Sequence, residues 1–300
     1  MSDWLVSIAG TSFGGQIAMA LALTGAVMHA VFGAIQKGRH DPWLTRGAID
    51  FAYGMLAIPL VFIVPFPEPH MWPIFAGMFI IHVGYKFVQG RAYQHGDYTV
   101  VYPVARGLGP LLTVIAASIV FSEHYTTLQW GGVLLLSLSI ISLSLLNFWA
   151  LSSGPSNIRA ALGFAIASGV MVAIYTTYDA YGIRATADPL TFLAWFFLID
   201  GLSVFPWVAL HRWKRMDAPP TPIPLLMRGL AGGLVAYLSF GSVMLATRLD
   251  KVGEAAVLRE TSPIFAALIG WLILKEPVGI VRAGLMGLIA LGAVLVEFGA

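Results

Sequence analysis

Charge and cysteine are what this chain has least of. Only 11% of its 300 residues are Asp, Glu, Lys or Arg, against roughly 25% in soluble domains. With 58% hydrophobic residues the chain cannot hide its apolar side chains in one water-soluble core, so it belongs in lipid. There is no cysteine, which excludes a disulfide framework and a thiolate-held metal. The Lys and Arg residues are scattered and the formal net charge is only +2, which gives no footing for a nucleic-acid partner. The seven histidines are dispersed and no HExxH occurs, so neither a metal nor a cofactor is expected. No basic region precedes the first apolar run, and that run is read as a membrane helix rather than a cleavable leader.

Long apolar runs are what the chain does have. A bilayer core of roughly 30 Å takes about 20 residues of helix, because lipid offers no partner to unpaired backbone groups. Ten such runs lie near 16–36, 46–66, 71–92, 98–121, 127–148, 159–182, 189–210, 223–246, 252–274 and 279–298. Turn chemistry separates them, as in PFPEP, SSGPSN and HRWKRMDAPPTP, and no break is long enough for an extramembrane domain.

The runs repeat. Asp97, Val104, Arg106, Pro110, Glu123 and Gly131 match Asp250, Val257, Arg259, Pro263, Glu276 and Gly284, each pair 153 apart, as in 259 minus 106. Asp41, Pro42, Gly54 and Pro59 match Asp188, Pro189, Gly201 and Pro206 at a spacing of 147. The expectation is one five-helix unit written twice, over 1–153 and 154–300. Five crossings, being odd, turn the second copy upside down in the membrane. The expected fold is an all-α integral membrane protein of ten transmembrane helices in two inverted five-helix repeats, a plan used by secondary transporters.

The stretches "YPVARGLGPLLTVIAASIVFSEHYTTLQWGG" and "AVLRETSPIFAALIGWLILKEPVGIVRAGL" carry a resemblance. Each has a proline in an apolar helix, a glutamate about thirteen residues later, and a glycine opening the next helix. This resembles the EamA signature of the drug/metabolite transporter superfamily, over nearly the whole chain as two units. The resemblance implies a cell-membrane, multi-pass carrier, similar to exporters of amino acids and metabolites, with a central cavity lined by the first, third and fourth helices of each half. The sequence departs from the pattern in reading SEHY, where the family more often has a basic residue after the glutamate, and in placing Glu260 directly after Arg259.

Ionisable groups inside membrane helices are costly and face a partner or a cavity. On a helical period Tyr98, Tyr102 and Arg106 share one face, as do His82, Lys86 and Gln89. Arg259 stands at the position equivalent to Arg106, and Tyr175 lies in the helix that opens the second copy. These give the candidate substrate-binding set Arg106, Tyr102, Tyr98, Lys86, His82, Arg259 and Tyr175. For Arg106 the competing reading is a strut paired with an acid. Asp179, Asp50, Asp200 and Glu260 either neutralise Arg106, Lys86 and Arg259 or bind a proton, since a carboxyl buried away from cations exchanges protons nearer neutral pH. Asp179 is the first of these proton-coupling candidates. Glu123 and Glu276 are read as structural, each binding the amides that open the following helix. Gly229 and Gly233 read as close helix packing.

The expected partners are therefore the lipid bilayer, a small-molecule substrate and, as a candidate, the proton. The expected function is a secondary transporter that exports small metabolites such as amino acids by alternating access, not an enzyme. A guanidinium grips a carboxylate with two parallel hydrogen bonds and an aromatic face takes an apolar side chain. Uptake or exchange of an organic anion or phosphorylated metabolite is the alternative. A non-transporting scaffold, or an intramembrane hydrolase around Ser168, is the remote one.

Overall fold

The computed structural model describes residues 2–36, 41–95, 98–151, 158–272 and 279–299. These form helices α1 (Asp3–Ile8), α2 (Ser12–Gln36), α3 (Pro42–Val61), α4 (Met71–His95), α5 (Tyr98–Val120), α6 (Thr127–Leu151), α7 (Ile158–Ala185), α8 (Pro189–Gly201), α9 (Val204–Lys214), α10 (Pro222–Leu249), α11 (Val252–Arg259), α12 (Ser262–Leu272) and α13 (Ile280–Phe298). No strand occurs among the described residues. Every apolar run of the sequence falls on a helix or on a pair of consecutive helices. Among the described residues eight stretches are long and apolar enough to cross a membrane, with α8–α9 and α11–α12 each counting as one. The other two runs fall on α5, whose described apolar part is Arg106–Val120, and on α7.

Two runs expected as continuous helices are broken, and proline explains where. A proline ring inside a helix clashes with the carbonyl four residues back and removes one amide donor. Pro206 therefore strikes at Leu202, and the chain breaks between α8, ending at Gly201, and α9, starting at Val204. Pro263 strikes at Arg259, where α11 ends. Hydroxyls take up carbonyls at both breaks: Ser203 Oγ donates to Asp200 O (2.6 Å) and Thr261 Oγ1 to Leu258 O (2.7 Å). The equivalent Pro59 and Pro110 lie inside α3 and α5, which run on past them.

The repeated Asp-Pro pairs are helix starts. The Asp41 carboxylate accepts from the Trp43 and Leu44 amides at the head of α3, and that of Asp188 from the Leu190 amide at the head of α8. Proline at the first helical position loses nothing, because its amide would have no partner there. Burial alone would raise the Asp188 carboxyl. Hydrogen bonds from the Ser2 hydroxyl and the Leu190 amide outweigh it and hold the group below the ordinary aspartate range, so the cap is ionised at neutral pH.

The chain divides into two compact units, each drawing on both sequence halves: Met1–Val83 with Asp179–Asp250, and Gly84–Tyr178 with Lys251–Ala300. In the first unit α3 packs along α8, α9 and α10, and α10 along α2. A Cβ on Gly229 would lie 2.7 Å from the Ala48 carbonyl oxygen, and one on Gly233 2.8 Å from the Ala52 Cβ. The glycine pair on α10 thus lets its backbone approach α3, as the spacing suggested. The α3–α8 crossing is closer still, since a Cβ on Gly201 would come within 2.6 Å of the Gly54 N and Cα atoms.

In the second unit α6 packs on α13 and α5, and α11 on α5. Glu123, expected to bind the amides opening the next helix, instead reaches α11. Its Oε1 accepts from the Val252 amide (2.9 Å) and its Oε2 from the Gly253 amide (3.3 Å). A helix start attracts negative charge wherever it lies in sequence, and packing brings α11 rather than α6 to Glu123. Glu276 lies outside the described residues. Tyr125 donates to Glu123. Burial, then the charge of Glu123, push the Tyr125 phenol well above the ordinary tyrosine range, so it remains a donor. Glu123→Ala is expected to lower stability by about 0.5–2 kcal/mol, the range for a lost cap, read as a lower unfolding temperature in detergent. An unchanged midpoint would show that the cap contributes nothing.

Candidate functional site

The second unit holds a buried group of three charges. The break before Pro263 leaves Glu260 at the C-terminal end of α11, where helix carbonyls repel an anion, so the carboxylate needs cations. Arg106 Nη1 donates to Glu260 Oε1 at 2.7 Å, and Arg259 Nε donates to the same oxygen at 3.1 Å. All three side chains are largely buried, at 13%, 5% and 1% exposed for Arg106, Arg259 and Glu260. Together they carry one net positive charge. The second oxygen, Oε2, is buried with no hydrogen-bond partner among the described residues. In the same unit the Tyr85 and Tyr175 rings lie 4.8 Å apart between centroids, and the Gln89 amide donates to the Tyr85 hydroxyl at 2.6 Å. Lys86 is buried as well.

The first unit holds a histidine between two acids. His82 Nε2 lies 2.9 Å from Asp179 Oδ2, and Nδ1 lies 3.8 Å from Asp200 Oδ1. The Tyr53 hydroxyl donates to Asp200 Oδ2. The His82 ring is set edge-on to Phe196 and Phe240, with centroids 5.0 and 5.9 Å away. Asp50, fully buried, pairs with Arg46 one turn back on α3 at 2.8 Å.

The structure thus brings the candidate residues together in two groups. Arg106, Arg259 and Glu260 meet, so the acid that a strut reading of Arg106 requires is Glu260. His82, expected beside Lys86 as a substrate contact, meets Asp179 and Asp200 instead. Asp50 pairs with Arg46, a cation outside the candidate set. Tyr175 meets Tyr85. The side chains of Tyr98 and Tyr102 lie outside the described residues.

Arg46, Tyr53 and Tyr85 were not singled out from the sequence. For Tyr53 a signal existed: it stands 147 positions before Asp200, the repeat spacing itself. Gly54 and Gly201 keep the same spacing and also touch. Arg106 and Arg259, 153 apart, share one carboxylate.

Residues 159–298 match the model of the EamA-like transporter family. Over that stretch the chain is similar to the EamA-like transporter family. With eight apolar stretches of membrane-crossing length among its described residues, the chain is a multi-pass membrane protein in contact with lipid. Members of the family are transporters, which fits the expectation that the chain is not an enzyme. The resemblance was expected over nearly the whole chain, and the family match covers its second half. A solved crystal structure of another protein superposes with a TM-score of 0.77 at 17% identity, over 94% of this chain and 97% of that one. At that identity the likeness is one of fold alone. No curated protein matches the sequence.

Proposed function

We propose that this EamA-like protein is a secondary transporter of small carboxylate-bearing metabolites, amino acids foremost, built as two inverted five-helix repeats over 1–153 and 154–300 and working by alternating access. The observation that carries the reading is the sharing of Glu260 by Arg106 and Arg259. A twofold axis brings the residues lying on it against their own equivalents. Contacts between repeat equivalents support such an arrangement: Arg106 and Arg259 share Glu260, Tyr53 donates to Asp200, and Gly54 packs against Gly201. The helix breaks beside Asp200 and Glu260 resemble the discontinuous helices around which transporters bind substrate.

The Arg106–Glu260–Arg259 group suits an anionic function on the substrate. A carboxylate arriving there meets two guanidiniums that share one glutamate, and each guanidinium has five N–H donors in a planar fork. The aromatic pair Tyr85 and Tyr175, in the same unit, suits an apolar or aromatic side chain.

Counterflow of labelled amino acids into liposomes holding the purified protein tests the reading. Wild type is expected to accumulate at least one amino acid. Arg106→Ala is expected to abolish counterflow while the protein still inserts and stays monodisperse. Arg106→Lys is expected to recover little, because a point charge lacks the fork. Counterflow of dicarboxylates or sugar phosphates alone would favour organic-anion exchange, and wild-type rates in Arg106→Ala would remove the substrate role.

A further inference from the structure

We propose that Asp179, His82 and Asp200 form a proton relay in the first unit, with His82 passing one proton between the two carboxyls. The proposal rests on the transporter reading only for what the relay drives. Each ring nitrogen faces a different acid, Nε2 toward Asp179 at 2.9 Å and Nδ1 toward Asp200 at 3.8 Å. The side chains of His82, Asp179 and Asp200 are 6%, 3% and 6% exposed. A neutral imidazole donates from one nitrogen and accepts at the other, so it matches one protonated and one ionised carboxyl.

The transfer conserves atoms and charge. The O–H bond at Asp179 breaks as an N–H bond forms at His82 Nε2, and the N–H bond at Nδ1 breaks as an O–H bond forms at Asp200. The ring begins and ends neutral in opposite tautomers, and nothing is oxidised or reduced. The Asp179 side lies at hydrogen-bond distance, whereas 3.8 Å on the Asp200 side is too long for one. Completing the relay takes a movement of roughly 1 Å, on the scale of a helix adjustment during a transport cycle.

The surroundings hold the ring and the second acid in place. Phe196 of α8 and Phe240 of α10 flank the imidazole. Tyr53 of α3 donates to Asp200 Oδ2, which keeps Oδ1 turned to the ring. Other ionisable groups on these elements include Asp50 with its partner Arg46 on α3, Tyr237 of α10, which stacks on Phe197, Lys86 one turn further along α4, and Tyr178, Tyr181 and Arg184 of α7.

Two measurements test the relay. In liposomes, uptake of the amino acid that shows counterflow is compared with and without an imposed pH gradient. The ratio of gradient-driven uptake to counterflow is expected to exceed one severalfold in wild type and to fall to about one in His82→Gln and Asp179→Asn. A wild-type ratio of one, or a wild-type ratio kept by both variants, overturns the relay. Absence of counterflow for every substrate overturns the transporter reading instead. The second measurement then decides the relay, using protons alone as the probe. Nitrogen-15 spectra of histidine-labelled protein in lipid nanodiscs, assigned by loss of one signal in His82→Gln, are followed from about pH 5 to about pH 9. The His82 ring is expected to change tautomer or protonation over that range and to do so differently in Asp179→Asn. A ring fixed in one state throughout, or one titrating identically without the Asp179 carboxylate, overturns the proposal.

Discussion

Glu260→Gln is expected to lose roughly 3–5 kcal/mol of folded stability, because it leaves two buried guanidiniums around a neutral amide. The wild-type carboxylate is 1% exposed and serves Arg106 at 2.7 Å and Arg259 at 3.1 Å. Neither cation regains water when the charge is removed. Thermal unfolding in detergent and the monodisperse fraction on a sizing column are the measurements. Arg106→Ala is expected to cost less, since Glu260 keeps Arg259. The order of the two effects therefore matters more than either size. If Arg106→Ala were the more destabilising, the group would not be organised around the glutamate. A double variant, Glu260→Gln with Arg106→Gln, is expected to recover part of the loss, because one of the stranded charges has gone.

Gly201→Leu is expected to be the most damaging single substitution in the first unit. A Cβ there would stand 2.6 Å from the Gly54 N and Cα atoms and 2.7 Å from the Asp50 carbonyl oxygen. These are backbone atoms of α3 and cannot rotate aside. Overpacking of this kind typically costs about 1–3 kcal/mol, with the upper end expected where backbone meets backbone. Separating α3 from α8 also pulls Tyr53 from Asp200, the neighbours of the two glycines, so transport is expected to fail even in the protein that folds. Gly131→Leu is the control: nothing lies within 4 Å of its added Cβ. The control is expected to be neutral or stabilising by up to about 0.7 kcal/mol, from helix propensity. Equal losses at both sites would mean that the close crossing is not what Gly201 provides.

Much of this was legible in the sequence because membrane insertion is a local property. A run such as 127–148 must be helical wherever it ends up, since lipid hydrogen-bonds to nothing, and α6 lies there. The Asp-Pro pairs at 41–42 and 188–189 were equally local, each a capping carboxylate followed by a residue that has no amide to satisfy. The repeat spacings were visible as well and pointed, unrecognised, to Tyr53 as the partner of Asp200.

Other features depended on which helix came to lie beside which. Four prolines occupy equivalent repeat positions, yet α3 and α5 run past Pro59 and Pro110 while the chain breaks ahead of Pro206 and Pro263. Glu123 finds the amides of Val252 and Gly253, 129 and 130 residues away, in preference to those of its own next helix. The pairing of charges was beyond reach for the same reason. In a low-dielectric interior an ion takes the counter-ion that packing brings within a few ångströms, and packing gave Asp50 to Arg46, both arginines to Glu260, and His82 to two aspartates. The sequence by itself determined an α-helical membrane protein, the positions of its apolar helices and the caps that start them, because these follow from hydropathy and local backbone chemistry. Only the tertiary structure decided which helices break and which charges meet, because both depend on contacts between residues far apart in the chain.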